Sequence, residues 1–187
     1  MKVQAQKSQA HVNGVKSVCC LNQLKYFDSI NGLPPDIMHD MLEGTVRVNI
    51  KLLMTYLSSM PKINKHRYTL EQLNEDLASF PYGRIDKDNK PPTNLFTDKS
   101  SYKISATHQW MVMRVLPILI GEKLKNDSKF LHFVQLVEIV CLLHDDEFDE
   151  MKINNLTMKI DKYLQEFKIN YPVEKNYTKT TLSNTLS

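Results

Sequence analysis

Asp36, His39, Asp40, Glu43 and Arg47 are the residues of this 187-residue sequence whose types and spacing suit chemistry best. Laid on a helix at about 100° per residue, they fall within one arc of roughly 100°. Ile37, Met38, Met41, Leu42, Val46 and Leu53 take the rest of the surface. Three carboxylates and an imidazole on one face are the donor types a divalent cation takes. Ligands from one helix share one side, however, so they cannot surround an ion unless a second helix contributes. The plain alternative is charge matching, since acids in a first helical turn are what the helix dipole favours.

The elements that must position these residues are legible around them. Asn31-Gly32 makes a turn and Pro34-Pro35 forbids helix before it. The second proline fits the first helical position, where a missing N–H costs nothing, so the helix begins at about Pro35. Ile50 and Met54 continue the polar arc beyond Arg47, which predicts a helix that is apolar nearly all round and buried within something larger. It should end near Met60-Pro61, where the proline ring restricts the residue before it.

The wording of this stretch points to a family. The string from Leu24-Lys25-Tyr26-Phe27 through Gly32-Leu33-Pro34-Pro35-Asp36-Ile37-Met38-His39-Asp40-Met41-Leu42-Glu43-Gly44 resembles a signature of transposon-derived proteins of animals and plants. These are the DDE transposases related to the CACTA and KDZ groups. A second block resembles the segment that follows it there: Ile104-Ser105-Ala106 to Gln109-Trp110, then Arg114-Val115-Leu116-Pro117-Ile118-Leu119-Ile120-Gly121. The resemblance covers roughly residues 14 to 172, with the two blocks its specific part.

Such transposases cut and join DNA with metal ions held by three acids on an RNase H-like fold, the metals activating the attacking oxygen and stabilising the leaving one. The resemblance implies that Asp36 is the second catalytic acid and the metal position, with His39 orienting the site or touching a phosphate. It makes Asp40, Glu43, Trp110 and Arg114 motif residues without assigned roles. It further implies Mg or Mn as cofactor, DNA as partner and a nuclear location. The departures count against activity: residues 1 to 23 contain no acid, and Glu138, Asp145, Asp149 and Glu166 lie in no motif that marks a third one. A Pro-Lys-x-x-His-like segment expected after the last helix is replaced by Val173-Glu174-Lys175-Asn176-Tyr177. The Asp36–His39 pair therefore reads either as a vestigial metal position or as plain packing, and no cofactor is expected in this chain alone.

Composition bounds the rest. With 42% hydrophobic and 24% charged residues the chain can build one real core. Its 24 basic and 21 acidic residues leave a net charge of +3, a mixture that does not by itself mark a nucleic-acid binder. Cys19, Cys20 and Cys141 form neither a disulfide framework nor a zinc pattern, which favours an intracellular location. The polar N-terminus lacks the apolar core of a signal peptide, and no apolar run reaches about 18 residues, so no membrane association is expected.

Residues 1–16 carry no hydrophobic period and read as a disordered arm, and 172–187 as a disordered tail, with a helical domain over 17–171 between them. Val18, Leu21, Leu24 and Phe27 suggest a short helix on the main one. Lys62, Lys65, His66 and Arg67 form a basic cluster that suits phosphate or simply solvent. Thr69-Leu70-Glu71-Gln72 is a capping box for a helix carrying Leu70, Leu73, Leu77 and Phe80. Residues 84–101 read as a long polar loop.

Ser105 is placed to cap a helix whose buried side is Trp110, Met113, Leu116 and Ile120, bent at Pro117 and closed by Gly121. Asp127 or Ser128 caps a central, almost wholly apolar helix. The acidic run Asp145-Asp146-Glu147 with Asp149-Glu150 opens the last helix, where capping outweighs metal binding. No period-two strand longer than four residues appears; Leu24–Phe27 could form one only by joining a sheet from elsewhere.

The expected fold is mainly α: a helical bundle-like fragment, the second-acid helix plus the helical insertion of an RNase H-like transposase, with few or no strands. The expected function is that of a truncated, catalytically inactive piece of such an enzyme. The competing expectation is a small helical interaction module that binds a protein partner through exposed apolar surface.

Overall fold

The computed structural model describes residues 20–28, 32, 36–61, 67–96 and 104–172, and the chain separates into two compact units, Met1–Pro35 and Asp36–Ser187. The fold is mainly helical, and no strand occurs among the described residues. The expected N-terminal arm, the C-terminal tail beyond Pro172, Val18, Asn31, the Pro34-Pro35 pair and Lys62, Lys65 and His66 all lie outside the described residues.

In the first unit a single 3-10 turn, Cys20–Gln23, stands where a short helix was expected, and Leu24 and Tyr26 are exposed. The Gly32 N–H donates to the Asp28 carbonyl at 2.6 Å. A Cβ at Gly32 would lie 2.6 Å from that same oxygen, so this close approach is open to glycine alone.

The second unit opens with a departure from α geometry. Ile37–Val46 is a π-helix, followed without a break by α1, Arg47–Ser59. Two local features favour the wider turn. Gly44 brings no side chain to stabilise an α turn, and the Thr45 hydroxyl donates to the Asp40 carbonyl five residues back, at 3.3 Å. The uniform pitch assumed from the sequence fails over these ten residues, so the single-arc placement of Asp36 to Arg47 is corrected. The expected all-apolar continuation is corrected too. α1 buries Asn49, Ile50, Leu53, Met54 and Leu57 but exposes Lys51, Thr55, Ser58 and Ser59. It ends at an extended Met60 (φ −63°, ψ 133°) before Pro61.

The capping box is present in full at α2, Leu70–Ser79. Thr69 Oγ1 accepts from the Gln72 N–H, and the Gln72 side chain accepts from the Thr69 N–H, both at 3.2 Å. Asn74 then pins the following loop through both edges of its amide to the Phe96 backbone, at 2.7 and 2.9 Å.

α3, Ala106–Leu124, is capped by Ser105 and passes through Pro117 without ending. Met113, Leu116 and Ile120 are buried as expected, whereas Trp110 is half-buried. Gly121 does not close the helix, which runs three residues further; a Cβ there would stand 3.4 Å from the Phe130 ring, so the glycine instead lets that ring lie close.

Asp127 caps α4, Ser128–Leu143, and Asp149 caps α5, Glu150–Asn170. α4 packs on α1, α3, α5 and the π-helix, and α3 packs on the π-helix, α2 and α4. The core is thus built around α3 and α4, with α5 docked mainly on α4 through Ile160, Tyr163 and Phe167. The first half of α5 is largely exposed, with Met151 76% and Met158 71% open to solvent.

Candidate functional site

Asp36 sits just before the π-helix in an extended conformation (φ −94°, ψ 107°). Its Oδ1 accepts from the N–H groups of Met38 and His39 at 2.9 and 3.3 Å, satisfying two donors that the helix start leaves open. Its other oxygen, Oδ2, lies 2.7 Å from His39 Nδ1. The two side chains are 55% and 60% exposed, so water screens the pair. Hydrogen bonding to His39 holds the Asp36 carboxyl below the usual aspartate range. The same bond raises His39 above the ordinary histidine value, with the charges of Asp36, Glu43 and Asp40 adding to it.

Of the five residues singled out by spacing, the three acids all favour the proton on His39 by their charge, and Arg47 has no part in this. Among the described residues, however, no set of three or more His, Cys, Asp and Glu side chains is grouped to hold a metal ion. Asp40 is half-buried and Glu43 exposed on the wider turn. The chemistry the pair supports is that of an exposed imidazolium–carboxylate, a cap with a protonated donor on its outer side.

The second block is brought against the first at the level of helices, because α3 packs on the π-helix. Its marker side chains have other partners. The Trp110 ring lies 4.5 Å from that of His144, tilted by 42°, and the Arg114 guanidinium lies 5.6 Å from the Trp110 centroid. The acids considered for a third position are each engaged locally. Glu138 pairs with Lys159 at 2.8 Å, and Asp145 with Lys152 at 2.7 Å. Asp149 accepts from the Lys152 N–H, and Glu166 from Gln135 at 2.7 Å. Arg67, the described member of the basic cluster, is half-buried.

Two arrangements escaped the reading of the sequence. Tyr56 on α1 donates to Asp127 Oδ2 at 2.5 Å, while Asp127 Oδ1 caps α4 through the Lys129 and Phe130 N–H groups, both at 3.0 Å. Burial, followed by the bond to Asp127, pushes the Tyr56 hydroxyl up to about 12. Beside them a cleft of ≈ 250 Å³ is lined by Met60, Glu122, Lys123 and Asn126 among others.

The second is His132 on α4, fully buried, its ring stacked 4.3 Å from that of Tyr163. Its Nε2 lies 3.1 Å from the Tyr163 carbonyl, which can only accept, so Nε2 carries the proton and Nδ1 is left as a bare acceptor. Nδ1 is buried and has no hydrogen-bond partner among the described residues. Burial lowers the histidine below its ordinary value of 6.5. The signal was a lone histidine on the apolar face of a helix, and spacing alone does not separate that from ordinary core filling.

Comparison with protein-family models, with curated proteins and with solved structures finds no match to this chain.

Proposed function

We propose that the chain is the helical portion of a transposon-derived DDE transposase, comprising the second-acid helix and the helical insertion, without strand-transfer activity of its own. The observation that carries the reading is that the helical parts of the two family-like blocks, Ile37–Gly44 and Ala106–Gly121, pack against each other, with Asp36 and His39 paired at 2.7 Å at the open end of the first. In this reading Asp36 occupies the ancestral metal position and caps its helix in the absence of partner acids. Mg or Mn, DNA contact and a nuclear location belong to the parent enzyme.

A chain with one acid of three gives paired divalent ions too few ligands to activate a nucleophile and a leaving group together. Incubated with Mg or Mn and duplex DNA, the protein is therefore expected neither to nick nor to join strands. Calorimetry with Mn should give no binding heat that an Asp36→Ala variant removes. Site-dependent binding or cleavage lost in that variant would show a complete metal centre and overturn the claim of inactivity. Ancestry is tested separately: in the parent locus, the reading frame upstream should encode a strand-rich segment bearing an aspartate.

One observation favours a second reading, a helical interaction module. The first half of α5 turns Met151, Ile153 and Met158 to solvent, with Phe148 just before it. Apolar side chains in such a group suit a protein partner. Among the described residues no helix is long and apolar enough to cross a membrane.

A further inference from the structure

We propose that His132 is a proton-operated latch for α5: in its neutral form it closes the α4–α5 contact, and on taking a proton at Nδ1 it releases α5 while the α1–α3–α4 core stays folded.

The geometry supplies both halves of the device. Closed, the neutral ring satisfies the Tyr163 carbonyl through Nε2 and stacks on the Tyr163 ring with an interplanar angle of 15°. Phe167 and Tyr171 complete the aromatic wall, with ring centroids 5.7 and 5.9 Å from the histidine. Protonated, the same ring would bury a second N–H and a positive charge at a position where none of the described residues accepts a hydrogen bond. A side chain in that state is relieved most simply by letting water in, and the water enters where one helix can lift away.

α5 is the helix that can lift. It rests mainly on α4, its first half is already exposed, and its buried anchors cluster around the histidine. Besides the bond to His132, a second buried polar tie holds it: the Tyr163 hydroxyl donates to Asn49 Oδ1 at 2.9 Å. Asn49 in turn donates to the Thr45 carbonyl at 2.9 Å, so α5 opening also frees a side chain that braces the end of the π-helix.

The charged and titratable neighbours do not supply the missing acceptor. From α5, Glu166 favours the proton on His132 by its charge, but its carboxylate oxygens face Gln135 at 2.7 Å and Lys162 at 3.9 Å. Tyr163 and Tyr171 are both held neutral by burial, Tyr171 up to about 12. From its own helix, Lys129 lies over the Tyr171 and Tyr56 rings, and Asp127 accepts from Tyr56 of α1.

The sign follows from linkage. The open state binds a proton on His132 with the ordinary value of 6.5, and the closed state binds it only at lower pH. Closure is therefore complete above that value and weakens as pH falls toward the closed-state value, by about tenfold in the open-to-closed ratio per pH unit.

Amide hydrogen exchange of the full chain between pH 7.5 and 4.5, corrected for the intrinsic rate, reads this directly. The expected result is a loss of protection in the second half of α5 of about tenfold per unit below pH ~6.5, with α3 protection unchanged. The His132 ring resonances should titrate over the same interval, a readout that needs no variant. In His132→Phe, which keeps an aromatic ring and cannot take the proton, α5 protection should stay flat across the range. The proposal is overturned if α3 and α5 lose protection together, if the His132 ring titrates without any change in α5, or if a folded His132→Phe protein keeps the wild-type pH dependence.

Discussion

At the scale of single residues, the chain spends its side-chain oxygens on helix starts. Asp36, Thr69, Ser105, Asp127 and Asp149 each accept from backbone N–H groups one turn on. Of these Asp127 carries a double duty, since its second oxygen takes the Tyr56 hydroxyl at 2.5 Å. Asp127→Ala removes the cap and strands a half-buried phenol, so the expected loss in urea denaturation is about 2–3 kcal/mol, against about 1 kcal/mol for an ordinary cap. Tyr56→Phe alone should cost about 1 kcal/mol, and the double variant less than the sum of the two.

The Asp36–His39 pair makes a pH prediction at the same scale. Asp36 is lowered, so its contribution is present above its ordinary value of 3.8 and is lost as pH falls through the folded value. His39 is raised, so its contribution is present below 6.5 and is lost as pH rises through the folded value. The helix start is therefore tightest between those limits. Amide protection at Met38 and His39, corrected for the intrinsic exchange rate, should be greatest near pH ~5, and Asp36→Asn should return the His39 titration toward 6.5 in an NMR experiment.

At the scale of elements, the caps were legible because capping is local: Thr69 with Gln72 and Ser105 act as read, and of the two residues offered for α4, Asp127 is the cap. The helix Ile37–Val46 was not legible as a π-helix. The same apolar spacing serves either pitch, and the choice turns on where Thr45 places its hydroxyl and on what α3 and α4 present against it. Gly121 was misread for a similar reason. A glycine near a helical stretch signals a stop only when nothing else needs the space, and here the Phe130 ring does.

The buried tie between elements gives a further test. Tyr163→Phe leaves the Asn49 amide oxygen without its donor in the core, and should cost about 1–3 kcal/mol in chemical denaturation.

At the scale of the whole molecule, the mainly helical class followed from hydrophobic periods of three and four, and the structure has it. Which helix covers which did not follow from period alone. Met151 and Met158 lie on the side of α5 opposite Ile160, Tyr163 and Phe167, so they stand in solvent while those three face α4. The candidate site was legible as a string of residue types; the meeting of their charges at His39 depended on the fold.

The sole tryptophan lies on α3 with its ring 4.5 Å from that of His144, just past the end of α4, whereas the buried α5 anchors gather around His132 near the other end of that helix. Its emission should therefore follow the collapse of the central pair and stay silent when the last helix lifts, whereas far-ultraviolet dichroism registers both events. Two optical curves that part company in acid and coincide in urea at neutral pH would be the spectroscopic signature of a protein that comes undone in two stages on one route and in one on the other.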